Sequence, residues 1–195
     1  MAPPKNSSIT LSEVGLTWPD GSSALRGISG TFGAGRTGLV GTNGAGKSTL
    51  LRLIAGELTP TTGRITTLGG VDYLPQTLTL DGRATVADLL GITQKVTALR
   101  AIEGGDAAEH WFDALGDDWD IETRADEALR PIGLSAVDLD RFVSEVSGGE
   151  AMLIAIAGLR LRRSPIVLLD EPTNNLDRPA RARLGQLLSS WPGTL

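Results

Sequence analysis

The chain contains no cysteine and a single histidine, His110. The first absence removes disulfide frameworks, thiol nucleophiles and thiolate metal sites together. The second leaves no material for a histidine-based zinc site or a serine–histidine triad. Long apolar runs are missing too. The longest, AMLIAIAGL at residues 151–159, has 9 residues, about half of the roughly 20 that a membrane span requires. The start, MAPPKNSSIT, lacks the apolar stretch of a secretory leader. These absences predict a cytoplasmic protein with no direct membrane insertion. Positive charge is not in excess either, with 18 basic against 23 acidic residues and a net charge of −5. That balance argues against a domain that coats DNA or an anionic membrane, although a local basic contact remains open.

What is present suits one sizeable domain, with 195 residues, 41% of them hydrophobic and 21% charged, enough to bury a core. No repeat or low-complexity stretch interrupts it. Charge is nevertheless uneven. Residues 103–127 carry ten carboxylates and one arginine, a local balance of −9, so the rest holds 17 basic and 13 acidic groups, a balance of +4. Such a segment is either a solvated, partly helical surface or a subdomain that docks on a basic partner. His110 lies within it and reads as a surface residue.

Periodicity outlines the elements. Residues 9–16 alternate apolar and polar side chains as a strand does, and WPDG at residues 18–21 signals a turn. TGLV at residues 37–40 reads as a short strand running into a glycine-rich loop. Leu50, Leu51, Leu53, Ile54 and Ala55 then recur at helical spacing, closed by Gly56 and Pro60. From Thr85 onward Val86, Leu89, Leu90, Val96, Leu99 and Ile102 predict further helices. Residues 150–163 predict another, and IVLL at 166–169 predicts a buried strand of the parallel kind. Strands interleaved with helices indicate an α/β fold.

The glycine-rich loop GTNGAGKST, residues 41–49, fits G-x-x-x-x-G-K-[ST] through Gly41, Gly46, Lys47 and Ser48. Glycines let the backbone approach phosphates and turn successive N–H groups inward, and the helix start adds its dipole. Lys47 neutralises the outer phosphates, and the Ser48 hydroxyl can ligate Mg²⁺. The pattern predicts a nucleoside triphosphate site. Farther on, Asp170 and Glu171 end the strand at 166–169. Many strands end in an acidic turn, so this pair is uninformative alone. Beside a phosphate loop it acquires meaning, because an Asp there can hold Mg²⁺ and the following Glu can polarise an attacking water.

Four motifs in this order resemble the ATP-binding cassette (ABC) family: the phosphate loop, Gln76 in YLPQ, VSGGE at residues 146–150, and DEPTNNLD at residues 170–177. The resemblance implies an α/β P-loop NTPase core with an antiparallel β subdomain and a helical subdomain. It implies one nucleotide-binding domain over residues 1–195, incomplete at its C-terminus, with a helical insert at 81–144. It also implies ATP and Mg²⁺ as cofactors. Gly41, Asn43, Gly44, Ala45, Gly46, Lys47, Ser48 and Thr49 would then surround the phosphates, and Ser48, Gln76 and Asp170 would hold the metal. By the same resemblance Glu171 is the general base, and Gln76 senses the metal and the attacking water. Trp18 would stack on adenine, although a strand-end core residue is the alternative reading. Ser147, Gly148, Gly149 and Glu150 would act in trans on nucleotide held by a second cassette, and Asp177 would contact that cassette.

The run EPTNNLD, and Glu150 where the family usually has glutamine, are similar to the ABC-F branch. That branch carries two cassettes per chain and acts on the ribosome as translation or antibiotic-resistance factors. The resemblance therefore implies a second cassette, in the same chain or as a dimer, and the ribosome with its rRNA as partners. The ATP-binding subunit of a membrane permease is the alternative. The isolated 195 residues could also be an ATP-binding module with negligible turnover. The family pattern continues past WPGTL into a strand and a histidine that contacts the γ-phosphate, so the chain reads as the front part of a longer protein.

Overall fold

A computed structural model describes residues 7–78, 83–174, 176–189, 191 and 193–195. The chain divides into two compact units. The first comprises Met1–Gln76, Arg163–Pro172 and Ser189–Leu195, and the second Thr77–Arg162 and Thr173–Leu188.

In the first unit β1 (Ser8–Thr17), β2 (Ser23–Phe32) and β3 (Thr62–Leu68) form an antiparallel sheet in the order β2-β1-β3. Ile9 and Leu11 of β1 are buried, as the alternation predicts, up to Glu13. There the register shifts against both neighbours and Glu13 takes a φ of 50°. Such an irregularity resets the inward face, and Val14 and Leu16 are buried beyond it. These side chains share a core with Leu50, Leu53 and Ile54 of helix α1 (Lys47–Ile54) and with Ile166 and Leu168. The last two belong to β5 (Ile166–Leu169), which pairs in parallel with β4 (Val71–Leu74), Val71 opposite Ile166 and Leu74 opposite Leu169. Thr194 bridges in parallel to Ile166 and to Gly35. Its hydroxyl lies 2.8 Å from that of Ser7, with both residues buried.

The strand expected at residues 37–40 does not form. The Thr37 N–H donates to the Leu195 carbonyl at 2.8 Å, and the Leu195 N–H to that of Gly35 at 2.9 Å. No described residue is bonded to residues 38–40 as a neighbouring strand, and Val40 is 90% exposed. A run of β-forming residues becomes a strand only against a partner.

The second unit is helical: α2 (Val86–Leu90), α3 (Thr93–Glu103), α4 (Glu109–Leu115), α5 (Ile121–Leu129), α6 (Gly148–Leu161) and α7 (Arg178–Ser189). The first two positions of the expected insert, 81 and 82, lie outside the described residues. Thr85 starts α2 with a capping box: its hydroxyl accepts from the Asp88 N–H, and the Asp88 carboxylate accepts from the Thr85 N–H. The apolar run at residues 151–159 lies entirely within α6, and every one of its side chains is buried. A helix apolar all round must be enclosed on all sides. Helix α2 packs closest where Gly158 meets Leu90, because a β-carbon at 158 would sit 2.7 Å from the Leu90 Cα and carbonyl oxygen.

Gly158→Ala is therefore expected to destabilise the chain by about 1–3 kcal/mol through overpacking, despite the better helix propensity of alanine. Urea unfolding checks this, and a gain in stability would contradict the close α2–α6 approach.

Candidate functional site

The phosphate-loop residues lie where β2 passes the start of α1. Gly46 precedes the helix with a φ of 92°, and Gly44 has a φ of 81°. At Gly46 a β-carbon would stand 2.7 Å from Leu25 Cδ2 and 3.1 Å from the Ala24 carbonyl oxygen. Conformation and space both demand glycine there. The first N–H groups of α1 have no partners within the helix, so the loop adjoins its positive end. Gly41, Asn43, Gly44, Ala45 and Ser48 are exposed, and Thr49 is half-buried. The Lys47 ammonium donates to the carbonyls of Gly41 at 3.0 Å and Thr42 at 3.1 Å, and stands 3.8 Å from Glu171 Oε1.

The acidic side of the site is set by the β4–β5 pair. The Asp170 N–H donates to the Leu74 carbonyl at 3.0 Å, extending the ladder one residue past β5. The Asp170 carboxylate is buried and accepts from the Tyr73 hydroxyl at 3.1 Å. Burial first, then the neighbouring Asp170 charge and this hydrogen bond, push the Tyr73 hydroxyl up to about 12. It stays a donor at any physiological pH, which fixes one carboxylate oxygen. Glu171 follows with a φ of 46°, a left-handed conformation that a non-glycine residue holds only against strain. Since Leu74 pairs with Leu169, Gln76 and Glu171 each stand two residues beyond a paired position, at the same edge of the two strands. Gln76 is exposed there. Parallel sheets bind ligands at this carboxyl edge.

Tyr73 was not legible as a site residue. It stands on the strand leading to Gln76, but its partner is 97 positions away, and only the parallel pairing joins them. Trp18 is 36% exposed in the turn between β1 and β2, where its carbonyl accepts from Gly21 at 2.9 Å and its N–H donates to Ser22 at 2.8 Å. It is therefore a turn residue, not part of the buried core.

The other candidate residues belong to the second unit. Ser147 caps α6 through a capping box: its hydroxyl accepts from the Glu150 N–H at 3.2 Å, and the Glu150 carboxylate accepts from the Ser147 N–H at 2.8 Å. These hydrogen bonds, the backbone one first, hold the Glu150 carboxyl below its usual range against the opposing effect of burial. Either glutamate or glutamine can take the third position of such a box, and here Glu150 does. Beside Gly148 the space where a side chain would sit is open. Asp177 starts α7, its carboxylate accepting from the Ala180 N–H at 2.8 Å. Asn175 of the DEPTNNLD run lies outside the described residues. His110 is exposed, its ring 4.2 Å from that of Trp111.

Among the described residues no group of three or more His, Asp or Glu is placed to hold a metal. The oxygen donors near the loop, the Ser48 hydroxyl and the Asp170 carboxylate, suit a hard cation that takes its remaining ligands from phosphate and water. Among the described residues no helix is long and apolar enough to cross a membrane.

A family model described as "ABC transporter" matches residues 25–174. The chain is 40% identical over 185 residues to the "Tylosin resistance ATP-binding protein TlrC" of Streptomyces fradiae, a match covering 82% of this chain and 33% of that protein. It is 32% identical over 214 residues to an "Antibiotic resistance protein" of Mycobacteroides abscessus, covering 97% of this chain and 38% of that one. The chain thus spans about a third of the length of these relatives. Among solved structures, "Structure of ATP binding subunit of ABC transporter" superposes with a TM-score of 0.74 at 23% identity, covering 95% of this chain and 76% of the other.

Replacing Tyr73 by phenylalanine removes a hydrogen bond to a buried carboxylate and is expected to cost roughly 1.5–3 kcal/mol. Unchanged denaturant stability would show that Tyr73 does not hold Asp170. The Glu150 carboxyl is depressed in the folded chain, so its contribution is complete above the ordinary carboxylate range near about 4.3 and disappears as pH falls through the lowered folded value. Protection of the amides at the start of α6, taken relative to their intrinsic exchange at each pH, should fall on acidification in this way, and Glu150→Gln should abolish that pH dependence.

Proposed function

The chain belongs to the ATP-binding cassette family, and from that premise we propose that it binds Mg-ATP and hydrolyses it when paired with a second cassette. The observation that carries this reading is the meeting of Lys47 and Glu171, 3.8 Å apart, where the glycine loop adjoins the carboxyl edge of β4 and β5. The N–H groups at the start of α1 and the Lys47 ammonium bind the phosphates. Ser48, Gln76 and Asp170 would hold Mg²⁺, and Tyr73 keeps Asp170 in position. The metal, when bound, supplies positive charge to the phosphate oxygens. Glu171 takes the proton from the water that attacks the γ-phosphorus, and ADP leaves with the broken bond's electrons. The capped start of α6, with Ser147, Gly148 and Gly149, serves the nucleotide of the opposite cassette and leaves this chain's own site incomplete. Isolated, the chain is expected to hold ATP with negligible turnover. Trp18, exposed in its turn, is available to stack on the adenine.

Within the family we assign the chain to the ABC-F branch, as the first cassette of a cytoplasmic, ribosome-associated translation or antibiotic-resistance factor. The EPTNNLD run and Glu150 support this assignment, as do relatives named for tylosin and antibiotic resistance.

The test uses the full-length protein. Glu171→Gln is expected to trap ATP and co-sediment with ribosomes, whereas Lys47→Ala should lose ATP binding while its circular dichroism stays unchanged. Trapped protein that ignores ribosomes and co-purifies with a membrane permease would make it a transporter subunit instead. Unaltered ATP affinity in Lys47→Ala would overturn the assignment of the loop itself.

A further inference from the structure

The acidic segment of the helical unit exposes two aromatic rings. Helix α4 turns Leu115, 1% exposed, and the half-buried Trp111 inward, and at the edge of that face Phe112 stands 41% exposed. Glu109 lies three residues before Phe112, a spacing that makes two helical side chains neighbours, and Asp113 follows Phe112 directly; both carboxylates are exposed. Trp119, 53% exposed, meets Phe112 with ring centroids 6.2 Å apart and planes inclined at 53°. The exposed Asp117 and Asp120 flank it in sequence. Two large rings in mutual contact at the surface, within an acidic segment, form a small apolar patch with a polar rim.

The carboxylates define what that surface accepts. The chain's nearby cations are already engaged: Lys95 and Arg124 with Asp118, Arg100 with Glu122 and Asp140, and Arg130 with Asp126. Asp120 is 3.5 Å from Arg124. Glu109, Asp113 and Asp117 have no ion pair among the described residues. Single-stranded nucleic acid also stacks on exposed aromatics, but it needs a positive groove for its phosphates, and here the surroundings are negative. A guanidinium satisfies both features at once, stacking on an indole face while its N–H fork engages carboxylates.

We propose that the Phe112–Trp119 face, with the exposed carboxylates Glu109, Asp113 and Asp117 of the same segment, docks an arginine-rich segment of a separate basic protein. The proposal does not depend on the nucleotide site. Its test is an anisotropy titration of the full chain with labelled peptides of arginine only and lysine only, and with a single-stranded RNA. Arginine peptide is expected to bind saturably and roughly tenfold more tightly than lysine peptide. Phe112→Ala with Trp119→Ala, which leaves the charge unchanged, should weaken it by about tenfold or more. Glu109→Gln with Asp113→Asn and Asp117→Asn should weaken it as well, with helicity monitored in each variant. Binding unaffected by loss of the two rings would reduce the surface to unspecific charge and overturn the proposal. So would preferential binding of RNA. Self-association of the chain that disappears with the rings would assign the face to a second copy and overturn it too.

Discussion

The candidate site depends on one pairing, that of β4 with β5. Four residues on each side, in parallel register, bring Tyr73 and Asp170 together across 97 positions of sequence. The ladder then continues through the Asp170 N–H to Leu74. Because both strands run the same way, their carboxyl ends emerge at one edge, and Gln76, Asp170 and Glu171 emerge with them. A slip of one residue would turn Ile166 and Leu168 out of the core and the alternate side chains into it. The core around Ile9, Leu11, Leu53 and Ile54 therefore holds the register on which the acidic groups rely.

The phosphate loop answers to a different constraint, local and steric. Gly46 is pinned between its left-handed backbone and the side chain of Leu25, so the loop's path is fixed where α1 begins. That path sets the Lys47 ammonium against two loop carbonyls and within 3.8 Å of Glu171. A cationic side chain held by neutral carbonyls and a carboxylate can exchange those partners for oxygens that carry more charge.

Helix starts in the second unit are managed by the same chemistry repeated. Thr85 with Asp88 and Ser147 with Glu150 form reciprocal boxes, and Asp177 caps α7. At Ser147 this capping coincides with two glycines, so the start of α6 is well ordered yet free of side chains next to the hydroxyl. Order without obstruction is what an anion-facing helix terminus requires. The charge of this unit follows no such local rule. Part of it is neutralised by Lys95, Arg100, Arg124 and Arg130, and part remains around the exposed rings of Phe112 and Trp119.

Sequence by itself determined the features whose causes are local. The glycines of the phosphate loop, the Ser147–Glu150 spacing, the alternation of β1 before its bulge and the apolar run of α6 are short-range patterns, and each element formed within a few residues of its expected place. The ABC family was legible for the same reason, since its motifs are contiguous strings. Tertiary structure alone decided the rest. Residues 37–40 have the composition of a strand, yet a strand exists only where a second backbone offers hydrogen bonds, and for residues 38–40 none is described. Tyr73 has no marker in its own neighbourhood and gains its role from a carboxylate delivered by another strand. Phe112 and Trp119 read as ordinary apolar residues until the packing of α4 turned Leu115 inward and left them outside. Local propensities act through neighbours along the chain, whereas pairing, burial and exposure depend on which distant segments arrive at the same place.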